Sequence, residues 1–190
     1  MLNQIIEGLY AITPNKDLDI RLTEKAIHKH NIKILQYRKK GVTLENKKEE
    51  AKKLLNLCTE YNTLFIVNDD VNLCDKVGAH GVHLGQDDMN IKSAREILGN
   101  QNIIGVTCHN SLDLALKAEK NGADYIALGS IFKSKNKPNA INCSLSRVKE
   151  IREKISIPIV GIGGINLINQ HQAYKAGCNS VAMIDGLFMD

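Results

Sequence analysis

Residues 64–84 read LFIVNDDVNLCDKVGAHGVHL. LFIVN and GVHL are short apolar runs, as expected of strands buried on both faces of a parallel sheet. Between them, Asp69 and Asp70 stand where a helix N-cap pair belongs, ahead of residues 71–77. KVGAH then carries a basic residue and a turn residue into the second strand. The segment reads as strand, helix, strand.

Outward from it, the same alternation fills the chain. Strands are expected at residues 8–13, 33–37, 64–68, 81–84, 103–107, 125–129, 159–162 and 180–184. Amphipathic helices are expected around Leu22, Ala26 and Ile27 and over residues 43–61, 91–98, 111–121, 144–154 and 166–176. Ser111 and Ser144 look like N-caps, and Gly122 and Gly177 like C-terminal glycines. Four joints resemble one another: KVGAHGVHL, KNGADYIAL, KAGCNSVAM and, more weakly, KHNIKILQY. Eight strand–helix units point to an α/β fold, a (β/α)8 TIM barrel, as one domain over residues 1–190. A doubly wound sheet fits less well, since no G-x-G-x-x-G follows the first strand. Asp190 comes six residues after the last strand, so the closing helix is expected to be shortened. That wall would be left short or capped by a partner chain, as in a homodimer.

The bulk numbers exclude several roles. With 190 residues, 43% hydrophobic, the chain can bury a full core. A net charge of +4 with interspersed signs does not indicate nucleic-acid binding, and 4% aromatics with no Trp offer no base-stacking platform. Cysteines at 58, 74, 108, 143 and 178 form no C-x-x-C pair, which suits a reduced cytoplasmic protein. No signal peptide or membrane-length apolar stretch is expected.

In a barrel the chemistry lies on the loops at the carboxyl ends of the strands. The unusual polar residues fall there: Gln36, Arg38 and Lys40; Asn68 and Asp69; Gln86 and Asp88; Thr107 and His109; the loop 130–137; Gly163 and Gly164; Asp185 and Gly186. Asp69 and Asp88 are the expected ligands of a hard cation such as Mg2+, which completes its shell with phosphate oxygens. Arg38 and Lys40 would hold the remaining phosphate charge. Gly163 and Gly164 allow backbone N–H groups to approach an anion, with a helix N-terminus to follow. His80 and His83 are three apart on a strand, point to opposite faces, and are not a zinc pair. The mouth therefore reads as a site for a diphosphate and a metal.

The segments QYRKK (36–40), FIVNDD (65–70), GVHLGQDD (81–88), GVTCH (105–109), ADYIALGSIFKSKNK (123–137) and IPIVGIGGIN (157–166) together resemble the thiamine-phosphate synthase (pyrophosphorylase) and thiazole tautomerase superfamily. The resemblance implies that 4-amino-5-hydroxymethyl-2-methylpyrimidine diphosphate and a thiazole phosphate give thiamine phosphate and diphosphate. It implies that Gln36, Arg38, Lys40, Asn68, Thr107 and Lys137 hold the pyrimidine diphosphate. Arg38, Lys40 and Lys137 would act on the leaving group, with Ser134 and Asn136 donating hydrogen bonds nearby. Asp69 and Asp88 match the Mg2+ ligands, and Gly163 and Gly164 the thiazole-phosphate loop. Small phosphorylated substrates are the implied partners, with neither nucleic acid nor membrane.

Three features depart from the family pattern. The loop after the sixth strand, GSIFKSKNK, lacks two prolines. Asp185 stands where the family usually has Ser. A carboxylate ~6 Å from a phosphate would cost about 3 kcal/mol per phosphate charge at an effective dielectric of ~20, so Asp185 turns away, is protonated or marks a changed second substrate. The closing helix is short. A thiazole tautomerase using His109 as acid/base, or a non-catalytic binder of thiamine-pathway phosphates, are the competing readings.

Overall fold

The apolar runs of the sequence become eight parallel strands that close in chain order into a barrel. The computed structural model describes residues 6–133 and 141–188. The strands are β1 (Gly8–Ile12), β2 (Ile34–Tyr37), β3 (Leu64–Asn68), β4 (Gly81–Leu84), β5 (Ile103–His109), β6 (Tyr125–Leu128), β7 (Ile159–Ile162) and β8 (Ser180–Met183). Between them run α1 (Ile20–His30), α2 (Leu44–Glu60), α3 (Val71–Val77), α4 (Ile91–Leu98), α5 (Leu112–Lys120), α6 (Leu145–Arg152) and α7 (Gln170–Lys175). The (β/α)8 expectation holds.

Strand alternation builds two cores. Tyr10, Ile12, Ile34, Ile66, Tyr125, Ala127, Val160 and Ala182 fill the barrel interior. The intervening residues, including Ala11, Leu35, Phe65, Val82, Ile104, Ile126 and Val181, face outward against Leu54, Cys74, Ala115 and Val148 of the helices. Both faces of each strand are thus buried, which is why the runs look apolar throughout. Each large side chain so buried contributes roughly 1.5–3 kcal/mol.

The helices begin where side-chain caps are available. Asp19, Thr43, Asp70, Asn90, Ser111 and Ser144 each accept a hydrogen bond from the third residue beyond them. Each such cap is worth about 1 kcal/mol. Ser111 and Ser144 cap as expected.

The repeated joints have a physical cause that the sequence alone does not disclose. The turn residue of each lies in the left-handed region: Gly78, Gly122 and Gly177 at φ 73°, 85° and 106°, and Asn31 at 51°. Two residues beyond each glycine, a side chain reaches back to the start of the preceding strand. His80 Nδ1 accepts from the Phe65 backbone N–H at 2.9 Å, Asp124 Oδ2 from Ile104 at 2.7 Å, and Asn179 Oδ1 from Ile159 at 3.0 Å. Their own backbone N–H groups donate to the carbonyls of the same three residues. The weak copy, KHNIKILQY, carries Lys33 there, which has no acceptor to offer. His80 is accordingly a joint residue, and burial holds its pKa below the usual histidine value.

Two elements differ from expectation. β5 continues through Cys108 and His109, with a register shift between Thr107 and His109 in its pairing with β6. α7 begins only at Gln170, because Asn166 and Asn169 first form a turn: Asn166 Oδ1 accepts from Ile168 and Asn169, and Asn169 Oδ1 from Asn166. After β8 the chain makes a 3-10 turn, Asp185–Leu187, and Leu187 and Phe188 enter the outer core. All five cysteines are free and buried. Among the described residues no helix is long and apolar enough to cross a membrane.

Candidate active site

At the end of β2 the basic run divides. The Arg38 backbone is clamped to Thr13, whose hydroxyl accepts from its N–H at 2.9 Å and donates to its carbonyl at 3.2 Å. The Lys40 N–H donates to Asn15 Oδ1 at 2.8 Å. Lys39 turns outward, donates to the Lys16 carbonyl at 2.7 Å and lies 3.6 and 3.8 Å from Asp17 and Glu50. Glu50 also accepts from the Tyr37 hydroxyl at 2.7 Å. Lys39 therefore braces the loop on α2. Among the described residues, neither the Arg38 guanidinium nor the Lys40 ammonium forms an ion pair within 4.0 Å.

The carboxylates meet across the β3–β4 seam. Asp69 sits at φ 64°, a left-handed conformation that Asp tolerates better than most residues but that still costs of order 1 kcal/mol. Its N–H is held by the His83 carbonyl at 2.8 Å, while Asp70 is occupied as the α3 cap. This strained backbone brings the Asp69 carboxyl within hydrogen-bonding reach of Asp88. Burial, that contact and the Asp88 charge raise the Asp69 pKa, while the Asn68 side chain and the Lys40 charge pull it down. Asp88 is positioned in turn by the Gly85 N–H, which donates to its Oδ2 at 2.7 Å. Asp87 is exposed, and α4 takes its cap from Asn90 instead. Two carboxylates held together, one of them accepting from the Asn68 side chain, form an oxygen donor pair suited to a hard divalent cation. Among the described residues there is no group of three or more His, Cys, Asp or Glu side chains arranged for a metal, and Mg2+ commonly needs only one or two carboxylates.

Gln36 and Thr107 are joined through the barrel interior. Gln36 Nε2 donates to the Tyr10 hydroxyl at 2.7 Å, and Tyr10 and Tyr125 share a hydrogen bond of 2.9 Å. Tyr125 meets His83 Nδ1 at 3.0 Å, and His83 Nε2 meets Thr107 Oγ1 at 2.8 Å. The Thr107 carbonyl also accepts from Gln86 Nε2 at 2.5 Å. Burial pushes the His83 pKa down to about 4, against a partial opposing pull from Asp88, so the imidazole is neutral at pH 7. His83 is buried in the barrel interior, and the sequence alone does not single out Tyr10 or Tyr125. Their inward strand parity was the available signal.

Across the mouth, Gly163 and Gly164 are held against the loop after β6. Both have positive φ, 95° and 62°. A Cβ on Gly163 would lie 2.1 Å from Ser130 Oγ, and one on Gly164 2.6 Å from the Lys133 carbonyl. The Phe132 N–H donates to the Gly163 carbonyl at 2.9 Å, and Asn169 Nδ2 to that of Gly164 at 3.0 Å. The helix N-terminus expected directly behind these glycines is displaced to Gln170 by the asparagine turn. Ser134, Asn136 and Lys137 lie outside the described residues, as does the side chain of Asp185. His109 occupies the irregular end of β5 at φ 54°, with its carbonyl accepting from Gly129 at 2.9 Å.

The profile of the thiamine monophosphate synthase family matches residues 9–187. This chain belongs to that family. It is 46% identical over 186 residues to the thiamine-phosphate synthase of Thioalkalivibrio sulfidiphilus, covering 96% of this chain and 88% of that one. Its identity to the thiamine-phosphate synthase of Nitrosococcus oceani is 42% over 192 residues, covering 98% and 88%. Among solved structures, the thiamine phosphate pyrophosphorylase from Pyrococcus furiosus superposes with a TM-score of 0.86 at 34% identity, covering 96% and 90%. As a member of the thiamine monophosphate synthase family the chain is an enzyme, a transferase of thiamine biosynthesis that acts on small molecules. The family is metal-dependent in general.

Proposed function

We propose that the mouth condenses 4-amino-5-hydroxymethyl-2-methylpyrimidine diphosphate with 4-methyl-5-(2-phosphooxyethyl)thiazole, releasing thiamine phosphate and diphosphate. The observation that carries this reading is the strained Asp69, set against Asp88 and within the field of Lys40. Proton shuffling in a thiazole tautomerase requires no such carboxylate pair, whereas Mg2+ on a diphosphate is commonly held by one or two carboxylates.

Asp69 and Asp88 would hold Mg2+, with the Asn68 side chain beside them. When bound, the metal supplies positive charge to the diphosphate oxygens. Arg38 and Lys40 engage the same diphosphate, and the sequence adds Lys137. The C–O bond of the pyrimidine methylene breaks and its electron pair leaves with diphosphate. The cation left on carbon is delocalised by the ring amino group, and the thiazole nitrogen then forms the new C–N bond. The developing oxygen charge is met by preorganised cations, which is where the largest electrostatic gain is expected. Gln36 and Thr107 orient the pyrimidine, and the Gly163–Gly164 backbone receives the thiazole phosphate. No protein nucleophile enters.

The test is a product assay with both substrates, with and without Mg2+. Metal-dependent appearance of thiamine phosphate and diphosphate in equal amounts is expected. Intact substrates after prolonged incubation with Mg2+ would overturn the reading and turn attention to His109.

A further inference from the structure

β1 and β2 pair in parallel, with Tyr10 opposite Ile34, Ala11 opposite Leu35 and Ile12 opposite Gln36. In this register the odd-numbered residues of β1 turn their N–H and C=O groups toward β2. The Leu9 carbonyl accepts from the Lys33 N–H at 3.0 Å, and the Thr13 N–H donates to the Gln36 carbonyl at 2.9 Å. Two further rungs would follow, from the Arg38 N–H to the Thr13 carbonyl and from the Lys40 N–H to the Asn15 carbonyl. The β1 backbone turns before it can make them. Pro14 fixes φ and has no N–H, and the Lys16 N–H folds back onto its carbonyl at 2.8 Å.

Side chains complete the ladder instead. Thr13 Oγ1 accepts from the Arg38 N–H at 2.9 Å, in place of the Thr13 carbonyl. It donates to the Arg38 carbonyl at 3.2 Å, in place of the Asn15 N–H. A hydroxyl, with one proton and two lone pairs, can fill both roles. Asn15 Oδ1 accepts from the Lys40 N–H at 2.8 Å, in place of its own carbonyl. Lys39 Nζ donates to the Lys16 carbonyl at 2.7 Å. Residues 13–16 thus hold the whole basic run, Arg38 and Lys40 by their backbones and Lys39 by its ammonium. On the other side, the β2–β3 pairing ends at Tyr37 opposite Val67, and Gly41 at φ 77° turns the chain beyond Lys40.

This matters for charge. Residues two apart on an extended backbone point the same way, so the borrowed rungs send Arg38 and Lys40 to one side and Lys39 to the other. Cations on one side repel each other, and among the described residues neither forms an ion pair within 4.0 Å. Fixing their backbones sets them in place before an anion arrives, as electrostatic stabilisation without reorganisation requires. We propose that Thr13 and Asn15 are positioning residues that continue the β1–β2 ladder through their side chains and so aim Arg38 and Lys40 at the diphosphate. This rests on reading the mouth as a diphosphate site.

The experiment is calorimetry with inorganic diphosphate and Mg2+, with the steady-state KM for the thiazole phosphate as a control on the far side of the mouth. Thr13→Val keeps the shape and removes the hydroxyl. It is expected to weaken diphosphate binding about 10-fold and to leave that KM within about twofold, since small misplacements of a charged clamp act on the group it holds. Thr13→Ser restores the hydroxyl and is expected to bind diphosphate within about 3-fold of wild type. Asn15→Ala is expected to cost about 3-fold, because water can reach the Lys40 N–H at this exposed turn. If Thr13→Val does not fold, Asn15→Ala decides by the same measurement. Unchanged diphosphate affinity in every folded variant overturns the inference. Equal loss for both ligands overturns it too, as does a serine variant as weak as the valine one. Arg38→Ala separates the two readings. If it binds diphosphate as tightly as wild type, the site reading falls and the inference with it. If it binds weakly while Thr13→Val and Asn15→Ala bind normally, the inference alone falls.

Discussion

On the β2–β4 side of the mouth the candidate groups are side chains, each set by a specific backbone device: Thr13 clamps Arg38, a left-handed Asp69 faces Asp88, and the Gly85 N–H holds Asp88. On the β6–β7 side they are backbone. Gly163 and Gly164 matter for the side chains they lack, since the loop 130–133 occupies the space a Cβ would need. The first side concentrates charge and can be neutralised residue by residue. The second depends on close packing and fails when anything is added. Substitutions should therefore separate the two: on one side chemistry should be lost with the fold retained, on the other both should decline.

The largest expected effect is on the charged side. Asp88→Asn should lower turnover by about 10³-fold or more, since metal charge stabilisation is worth several kcal/mol and each 1.36 kcal/mol is tenfold. Thermal stability should not fall, because Asn retains an acceptor for the Gly85 N–H and relieves the repulsion with Asp69. Steady-state turnover against Mg2+ concentration checks this. Turnover within about threefold of wild type would remove Asp88 from the metal site.

Gly164→Ala should have the second-largest effect and the opposite pattern. Its Cβ would overlap the Lys133 and Phe132 carbonyls at 2.6 and 2.7 Å, at a φ of 62° that Ala rarely adopts. A loss of about 3 kcal/mol is expected from strain and displaced backbone together. That lowers Tm by roughly 6–12 °C for a chain of this size. Affinity for the thiazole phosphate should fall while that for inorganic diphosphate with Mg2+ is kept. Loss of both in equal measure would show that the two sides are not independent.

The same contrast explains what was legible in the sequence. The barrel was legible because burial on both strand faces leaves apolar runs such as LFIVN, and because the joints repeat. The reason for the repeat was not. His80, Asp124 and Asn179 hydrogen-bond to Phe65, Ile104 and Ile159, at separations of 15 to 20 residues that no local pattern encodes. Asp69 and Asp88 stood out because each follows soon after an apolar run, on the loops where a barrel places its chemistry. Tyr10 and Tyr125 did not, because a tyrosine within an apolar run passes for core until its hydroxyl is known to face inward. Lys39 was inseparable from Arg38 and Lys40 in sequence and differs from them only in where it points. The helix start behind Gly164 was misplaced because Asn166 and Asn169 satisfy each other in a turn, a competition with the helix that asparagine commonly wins.

The smallest effect tests what the charged side costs the fold. In metal-free protein, folding brings Asp69 against Asp88, and burial together with that neighbour raises the Asp69 pKa from its ordinary value of 3.8. The folded state then binds a proton that the unfolded chain has already released. Between 3.8 and the raised folded value, stability therefore falls as pH rises. The full penalty is present above the folded value, and none remains well below the unfolded one. Asp69→Asn removes the charge and suits the left-handed backbone at least as well. The site is half-exposed, so the repulsion is discounted to about 1 kcal/mol, a Tm gain of roughly 2–4 °C at pH 7 for the metal-free variant. The gain should shrink as pH is lowered toward 4, and Mg2+ should stabilise the wild type more than the variant, since only a ligand that binds the folded state shifts the balance. A metal-free variant no more stable than wild type at pH 7 would mean that Lys40 already offsets the pair. The strain at Asp69 would then be the main energetic cost of assembling this side of the mouth.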